Sequence, residues 1–206
     1  MFTLARMFDE ATSIEDYAQR YVARLSRLLA ELDTSAVARI IETMDQATEN
    51  GKTYYFIANG GSAAVASHWV NDLVAGGYTE GVKPFKAFCL SDNVEAVTAI
   101  GNDSGYENIF SYQLRTCLQP GDVVYAMSVS GNSENIIRAV DYAKEVGATS
   151  IGLCGFEGGR LKDHADIVLH IPTEPDEYGP VEDIFAIMDH IVTGYLTMKR
   201  GKRLNH

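Results

Sequence analysis

The chain has 206 residues, 46% of them hydrophobic and 22% charged, which suits one globular domain able to bury a core without covalent staples. Seventeen Lys and Arg stand against 28 Asp and Glu, a formal net charge of −11, and the basic residues are scattered, which argues against a nucleic-acid-binding face. A phosphate bound by such a chain must rely on local backbone N–H groups and helix N-termini rather than on a basic field.

Three cysteines, Cys89, Cys117 and Cys154, form no CxxC pair, and their odd number argues against a disulfide framework. Cys89 and Cys154 lie in apolar runs and read as reduced core thiols. The N-terminal "MFTLARMFDEATSIEDY" carries charges through its short apolar stretch and does not read as a signal peptide. No apolar run approaches the length of a membrane span. The expectation is a soluble, cytoplasmic protein with neither nucleic acid nor membrane among its partners.

In chain order, residues 13–50 read as a helical hairpin. Ser13 with Asp16 resembles a capping box, and Tyr17, Tyr21, Leu25, Leu28, Leu29 and Leu32 recur at helical spacing. "DTS" at 33–35 restarts a second helix, and Gly51 ends it. Residues 51–200 then alternate. Strands are expected at 53–59, 85–90, 122–127, 149–155 and 166–171. Helices are expected at 62–76, in "NVEAVTAIG" and "YENIFSYQLRTCL" on either side of "NDSG", at 133–147, and from about Val181 to Lys199. Short apolar strands separated by helices imply an α/β fold with a parallel sheet covered on both faces. The whole of 1–206 reads as a single domain.

Ligands of such sheets bind outside the C-terminal strand ends, near the point where strand order switches. Two strand ends here carry polar, Gly-containing turns. "SVSGNS" (128–133) offers the hydroxyls of Ser128, Ser130 and Ser133 at the start of a helix, an arrangement able to hold a phosphate monoester. Taken alone it is equally a polar capping turn, the commoner case. "NGGS" (59–62) is less specific, lacking both the Lys-Ser/Thr ending of a P-loop and the GxGxxG spacing of a dinucleotide fold. Two such loops on one sheet can cradle one small anion.

His68 and Asp72, four residues apart, share a helix face and suit a metal-ligand pair, an acid–base pair or a solvated surface pair. Glu182 and His190 lie eight apart on the last helix, about 80° around its axis, and could line one side. Asp183 and Asp189 would lie on other faces and be solvated. Trp69, Phe185, Ile187 and Met188 read as packing, and His164, His170 and His206 receive no role.

Four segments in order, "NGGSAAVASHWVNDL", "LSDNVEAVTAIGNDSGYENIFSYQL", "GDVVYAMSVSGNSENIIRAV" and "GYLTMKR", resemble the sugar-isomerase (SIS) domain family over residues 30–200. Within it they are most similar to the sedoheptulose 7-phosphate (phosphoheptose) isomerases. The resemblance implies a three-layer, flavodoxin-like fold with a five-stranded parallel sheet and an N-terminal helical extension. It implies a homotetramer with active sites at subunit interfaces, and an enediol isomerisation of sedoheptulose 7-phosphate to D-glycero-D-manno-heptose 7-phosphate.

By position, the resemblance implies that Ser62, Ser128, Ser130 and Ser133 hold the substrate phosphate, with Val129 where the family has Thr. Asn59, Gly60, Gly61, Asn102 and Asp103 would line the sugar. His68, Asp72, Glu182 and His190 would hold one zinc per subunit, with Asp72 as base and His190 as acid. The familiar enzymes carry Glu where this chain has Asp72, and Gln where it has Glu182. A carboxylate committed to zinc is a poor base, so Glu182 could take that role instead. The alternatives are an isomerase for a different sugar phosphate, or a non-catalytic SIS protein that binds a replication initiator.

Overall fold

Residues 3–202 are described in the structure, a computed structural model; His206 lies outside them. The chain opens on a helix that periodicity did not signal, α1 (Leu4–Glu10), capped by the Thr3 hydroxyl, which accepts from the Arg6 N–H at 3.1 Å. A long-range contact helps fix it: the Ala5 N–H donates to the Asp176 carboxylate at 3.0 Å. Helix α2 (Ile14–Ala30) starts at Ser13, whose hydroxyl accepts from the Asp16 N–H. The return half of the box is displaced by one residue, because the Asp16 carboxylate accepts from the Thr12 N–H at 2.8 Å.

Helix α3 (Thr34–Glu49) is capped by Asp33 and ends before Gly51, whose φ of +67° suits a glycine. It buries Val37, Ile40, Met44 and Ala47 against the sheet. The second arm of the expected extension is therefore part of a core layer.

Five parallel strands follow: β1 (Thr53–Ala58), β2 (Lys86–Cys89), β3 (Val123–Ser128), β4 (Thr149–Cys154) and β5 (Ile167–His170), in the order β2-β1-β3-β4-β5. This is the doubly wound, flavodoxin-like order. Alternation along β3 sends Val123, Tyr125 and Met127 to one core and Val124 and Ala126 to the other.

The first core lies under α3, α4 (Gly60–Asn71) and α9 (Tyr178–Lys199) and is filled by Phe56, Trp69, Phe185 and Met188. The second lies under α6 (Ser111–Cys117) and α7 (Glu134–Val146). Helix α5 (Val94–Ser104) runs through the "NDS" expected to be a break, and a short 3₁₀ turn, Tyr106–Asn108, follows it. Helix α8 (Leu161–His164) is one turn long. Burial pushes the Cys89 thiol up to about 11 and the Cys154 thiol up to about 12, as inert core thiols require. No helix among the described residues is long and apolar enough to cross a membrane.

Candidate active site

The strand order reverses between β1 and β3, so the turns after these two strands meet at one crevice. After β1 the chain enters α4 through Gly60, with φ +54°, and Gly61. After β3 it passes Ser128–Ser133 into α7. Helices α1, α2, α3 and α5 are capped by the side chains of Thr3, Ser13, Asp33 and Asn93. Asn59 and Ser133, which precede α4 and α7, make no such bond.

Asn59 instead forms a reciprocal amide pair with the buried Asn135, at 3.0 and 2.8 Å, which ties the two helix starts together. Tyr106 donates to the same Asn59 oxygen at 2.9 Å.

The crevice is a cavity of about 320 Å³ lined by Asn59, Gly60, Gly61, Ser62, Met127, Ser128, Val129, Ser130, Ser133, Phe156, Tyr178 and Glu182. No Lys or Arg is among them. The hydroxyls of Ser128 and Ser133 lie 3.3 Å apart beside the N-terminus of α7. At the other wall the Ser62 hydroxyl donates to Glu182 Oε1 at 3.0 Å. A Cβ on residue 61 would stand 2.4 Å from Glu182 Oε2, so a side chain there would displace that carboxylate from its observed seat. Glu182 therefore already places a negative charge at the N-terminus of α4, and the open anion site is the N-terminus of α7.

Farther along the same pair of helices lies a charged group. His68 stands on the last turn of α4. Asp72 opens a five-residue π-helical turn, Asp72–Gly76, closed by the Gly77 N–H donating to the Asp72 carbonyl. His68 Nε2 lies 3.3 Å from His190 Nε2, 3.6 Å from Asp72 Oδ2 and 3.7 Å from Asp189 Oδ2, and His190 Nε2 lies 3.8 Å from Asp72 Oδ2. One donor atom from each of the four residues falls within 4.8 Å of the others.

The His68 imidazole is about half exposed and that of His190 more so, whereas the Asp189 side chain is fully buried. Its Oδ1 accepts from Thr193 at 2.9 Å, and its Oδ2 has no hydrogen-bond partner. Burial pushes the Asp189 carboxyl up to about 6. A buried, half-satisfied carboxylate is costly unless a cation offsets it. Two imidazole nitrogens and two carboxylate oxygens are a donor set that fits a divalent metal such as zinc.

The structure thus gathers His68, Asp72 and His190 as the sequence led us to expect, but not Glu182, which lines the crevice instead. Asp189, expected to be solvated, completes the group and is a correction. At 3.6 residues per turn it sits about 100° from His190, yet that direction points into the α4–α9 seam rather than to water. Asp183 accepts from the Tyr21 hydroxyl at 2.6 Å, so it too is partnered by protein. Asn102 and Asp103 are exposed at the end of α5, hydrogen-bonded to each other at 2.7 Å, and do not line the crevice. His164 pairs with Asp141, and His170 Nε2 lies 2.9 Å from the Phe156 carbonyl oxygen. Asn135, Asp189, Phe156 and Tyr178 carried no distinguishing spacing in the sequence and entered only with the fold.

Comparison with known proteins gives the chain's relatives. The family described as SIS domain matches residues 16–155. A phosphoheptose isomerase of Trichlorobacter lovleyi is 36% identical over 188 residues, covering 89% of this chain and 94% of the relative. One from Geotalea daltonii is 40% identical over 160 residues, covering 78% and 82%. The solved phosphoheptose isomerase of Francisella tularensis superposes with a TM-score of 0.82 at 26% identity, covering 90% of this chain and 96% of its own.

Proposed function

The chain belongs to the SIS domain family, and we propose that it is a phosphoheptose isomerase, converting sedoheptulose 7-phosphate to the corresponding aldose phosphate. The observation that carries this reading is an uncharged anion cradle at the start of α7 together with a His/carboxylate group on the α4–α9 pair. The phosphate is held at Ser128, Ser130 and Ser133 by hydroxyls, backbone N–H groups and the α7 dipole. Ser62, committed to Glu182, serves the sugar wall with Asn59, Gly60 and Gly61.

The chemistry follows from the acidity of a C–H beside a carbonyl. A carboxylate takes a proton from C1 of the ketose, the C1–C2 double bond forms, and O2 takes a proton to give a cis-enediol. O1 then releases its proton as C1=O forms, and C2 takes the proton held by the carboxylate. His190, with its ring at the exposed edge, is placed to exchange protons with the two oxygens. Asp72 and Glu182 are the two candidate carboxylates. Zinc is the metal assigned to the His/Asp group, and when bound there it polarises the sugar oxygens. The phosphate cradle supplies binding energy away from the reacting carbons.

The exposed histidines, and the distance of Asn102 and Asp103 from the crevice, support a homotetramer whose interfaces finish the site. A monomer mass by light scattering would count against that. The protein acts in the cytoplasm on this reading. The test is to add sedoheptulose 7-phosphate to the protein with zinc and follow the aldose by NMR. Turnover is expected, and its absence with and without metal overturns the reading for this substrate.

A further inference from the structure

We propose that Asp189 takes the fourth place in this chain's metal-ligand set, with His68, Asp72 and His190, and that Glu182 is thereby left in the sugar crevice as the proton-carrying carboxylate. The part concerning Glu182 rests on the isomerase reading; the part concerning Asp189 does not.

Three observations carry the assignment. First, the spacing is right. Four donors about 2.0–2.1 Å from a tetrahedral zinc lie about 3.3 Å from one another. Four of the six separations are 3.3, 3.6, 3.7 and 3.8 Å, the 3.7 Å one between His68 and Asp189, and all six lie within 4.8 Å. Second, Asp189 Oδ2 is fully buried, faces His68 at 3.7 Å and has no hydrogen-bond partner, while Oδ1 is held by Thr193. A ligand fixed through one oxygen with the other left open is the arrangement in which a supporting hydrogen bond orients a metal-binding carboxylate.

Third, Glu182 is engaged elsewhere. Ser62 donates to its Oε1, and both of its carboxylate oxygens fill the space a side chain at residue 61 would need. Bringing Glu182 to the histidines would break that bond and empty the seat at Gly61. Asp72 faces both histidines, so with the metal bound its lone pairs are committed. Glu182 is the one carboxylate among the residues lining the crevice. Reach also favours it, since the glutamate side chain enters the sugar space that the shorter Asp72 does not line.

The decisive experiment titrates Co²⁺, as a visible probe of the zinc site, into the full chain and into Asp189→Asn, Asp189→Cys and Glu182→Gln, without sugar. Wild type should show a d–d absorption at one equivalent. Asp189→Asn should weaken binding by at least tenfold and alter the spectrum. Asp189→Cys should add a near-ultraviolet sulfur-to-metal band. Glu182→Gln should keep wild-type affinity and spectrum while turnover falls by at least a hundredfold.

Unchanged metal binding in Asp189→Asn, absence of the sulfur band in folded Asp189→Cys, or loss of metal in Glu182→Gln each overturns the proposal. Should neither Asp189 variant fold, Glu182→Gln decides alone: retained metal with lost turnover supports the division of roles, and lost metal sinks it. Wild type that turns over sedoheptulose 7-phosphate but binds no metal overturns this inference and leaves the isomerase reading standing. Metal bound in the assigned way without turnover does the reverse.

Discussion

Helices α4 and α9 run side by side and in the same direction: Ser62 meets Glu182 near their starts, and His68 meets His190 farther along. The two meeting points lie about six residues apart on α4, or ~9 Å at 1.5 Å per residue. At the starts of the helices, polar groups are satisfied by protein and the wall is shaped by glycine. At the histidines, four titratable groups crowd together and a buried carboxylate oxygen is left open. The first end, with the α7 turn on the other wall of the crevice, is closed by its own contacts around one carboxylate, Glu182, whereas the second, charged end leaves a valence to be filled. A site that must grip a phosphate without reacting with it needs the former, and one that must handle charge on reacting oxygens needs the latter.

The sharpest way to break this contrast is at the charged end. His190→Ala should lower kcat by about 10³-fold, within the range for loss of an acid–base group, with a much smaller change in KM. Steady-state kinetics on the sugar phosphate checks it. A comparable fall in KM-linked binding would mean that the histidine belongs to the gripping end after all. Next in size is Gly61→Ala. Its Cβ would collide with Glu182 Oε2, and displacement on that scale should cost about 10²-fold in kcat/KM while leaving Co²⁺ binding untouched. Reduced metal binding in this variant would show that the two ends are not separable.

At the gripping end the expected effect is smaller and of a different kind. Ser130→Ala removes one neutral donor from the α7 cradle. It should raise KM about tenfold, or ~1.4 kcal/mol, with kcat nearly unchanged. Because no Lys or Arg among the described residues lines the crevice, that KM should depend only weakly on salt. A steep salt dependence would point to a cationic group supplied by another subunit.

The two ends were not equally legible in the sequence. The crevice end was readable because turn chemistry is local: Gly60, Ser128 and Ser133 announce strand-to-helix turns wherever they occur. The strand count was readable for the same reason, since apolar runs bounded by turn residues need no tertiary knowledge. The charged end was only half readable. His68 and Asp72 share a face by spacing alone, but whether Asp189 points to water or into a seam depends on which helix packs beside α9. Nothing within α9 says that. Helix α1 escaped for a related reason: it is short, and one of its anchors is Asp176, 171 residues distant from Ala5. The π-turn that Asp72 opens likewise has no residue signature.

The smallest effect tests whether the gripping end is braced independently of the charged one. Helix α2 holds the start of α9 through Arg24, which pairs with the buried Glu177 by two bonds of 2.7 Å, and through Tyr21, which donates to Asp183 at 2.6 Å. Tyr21→Phe removes only the latter. A hydrogen bond to a charged acceptor contributes roughly 1.5 kcal/mol, which for a chain of this size corresponds to a fall of ~3–6 °C in Tm. Burial, then the bond to Asp183, raises the Tyr21 hydroxyl above its ordinary value. A folded-state value above the unfolded one means that the contribution is complete below about pH 10 and is lost as pH rises beyond it. The Tm difference between wild type and Tyr21→Phe should therefore be constant from neutral pH to about 9 and shrink above about 10. Metal affinity should be the same in both, because the brace touches α9 at Asp183, about two turns before His190. A drop in Co²⁺ binding in Tyr21→Phe would show instead that strain at the start of α9 is carried to its histidine, and that the helix pair is one device rather than two.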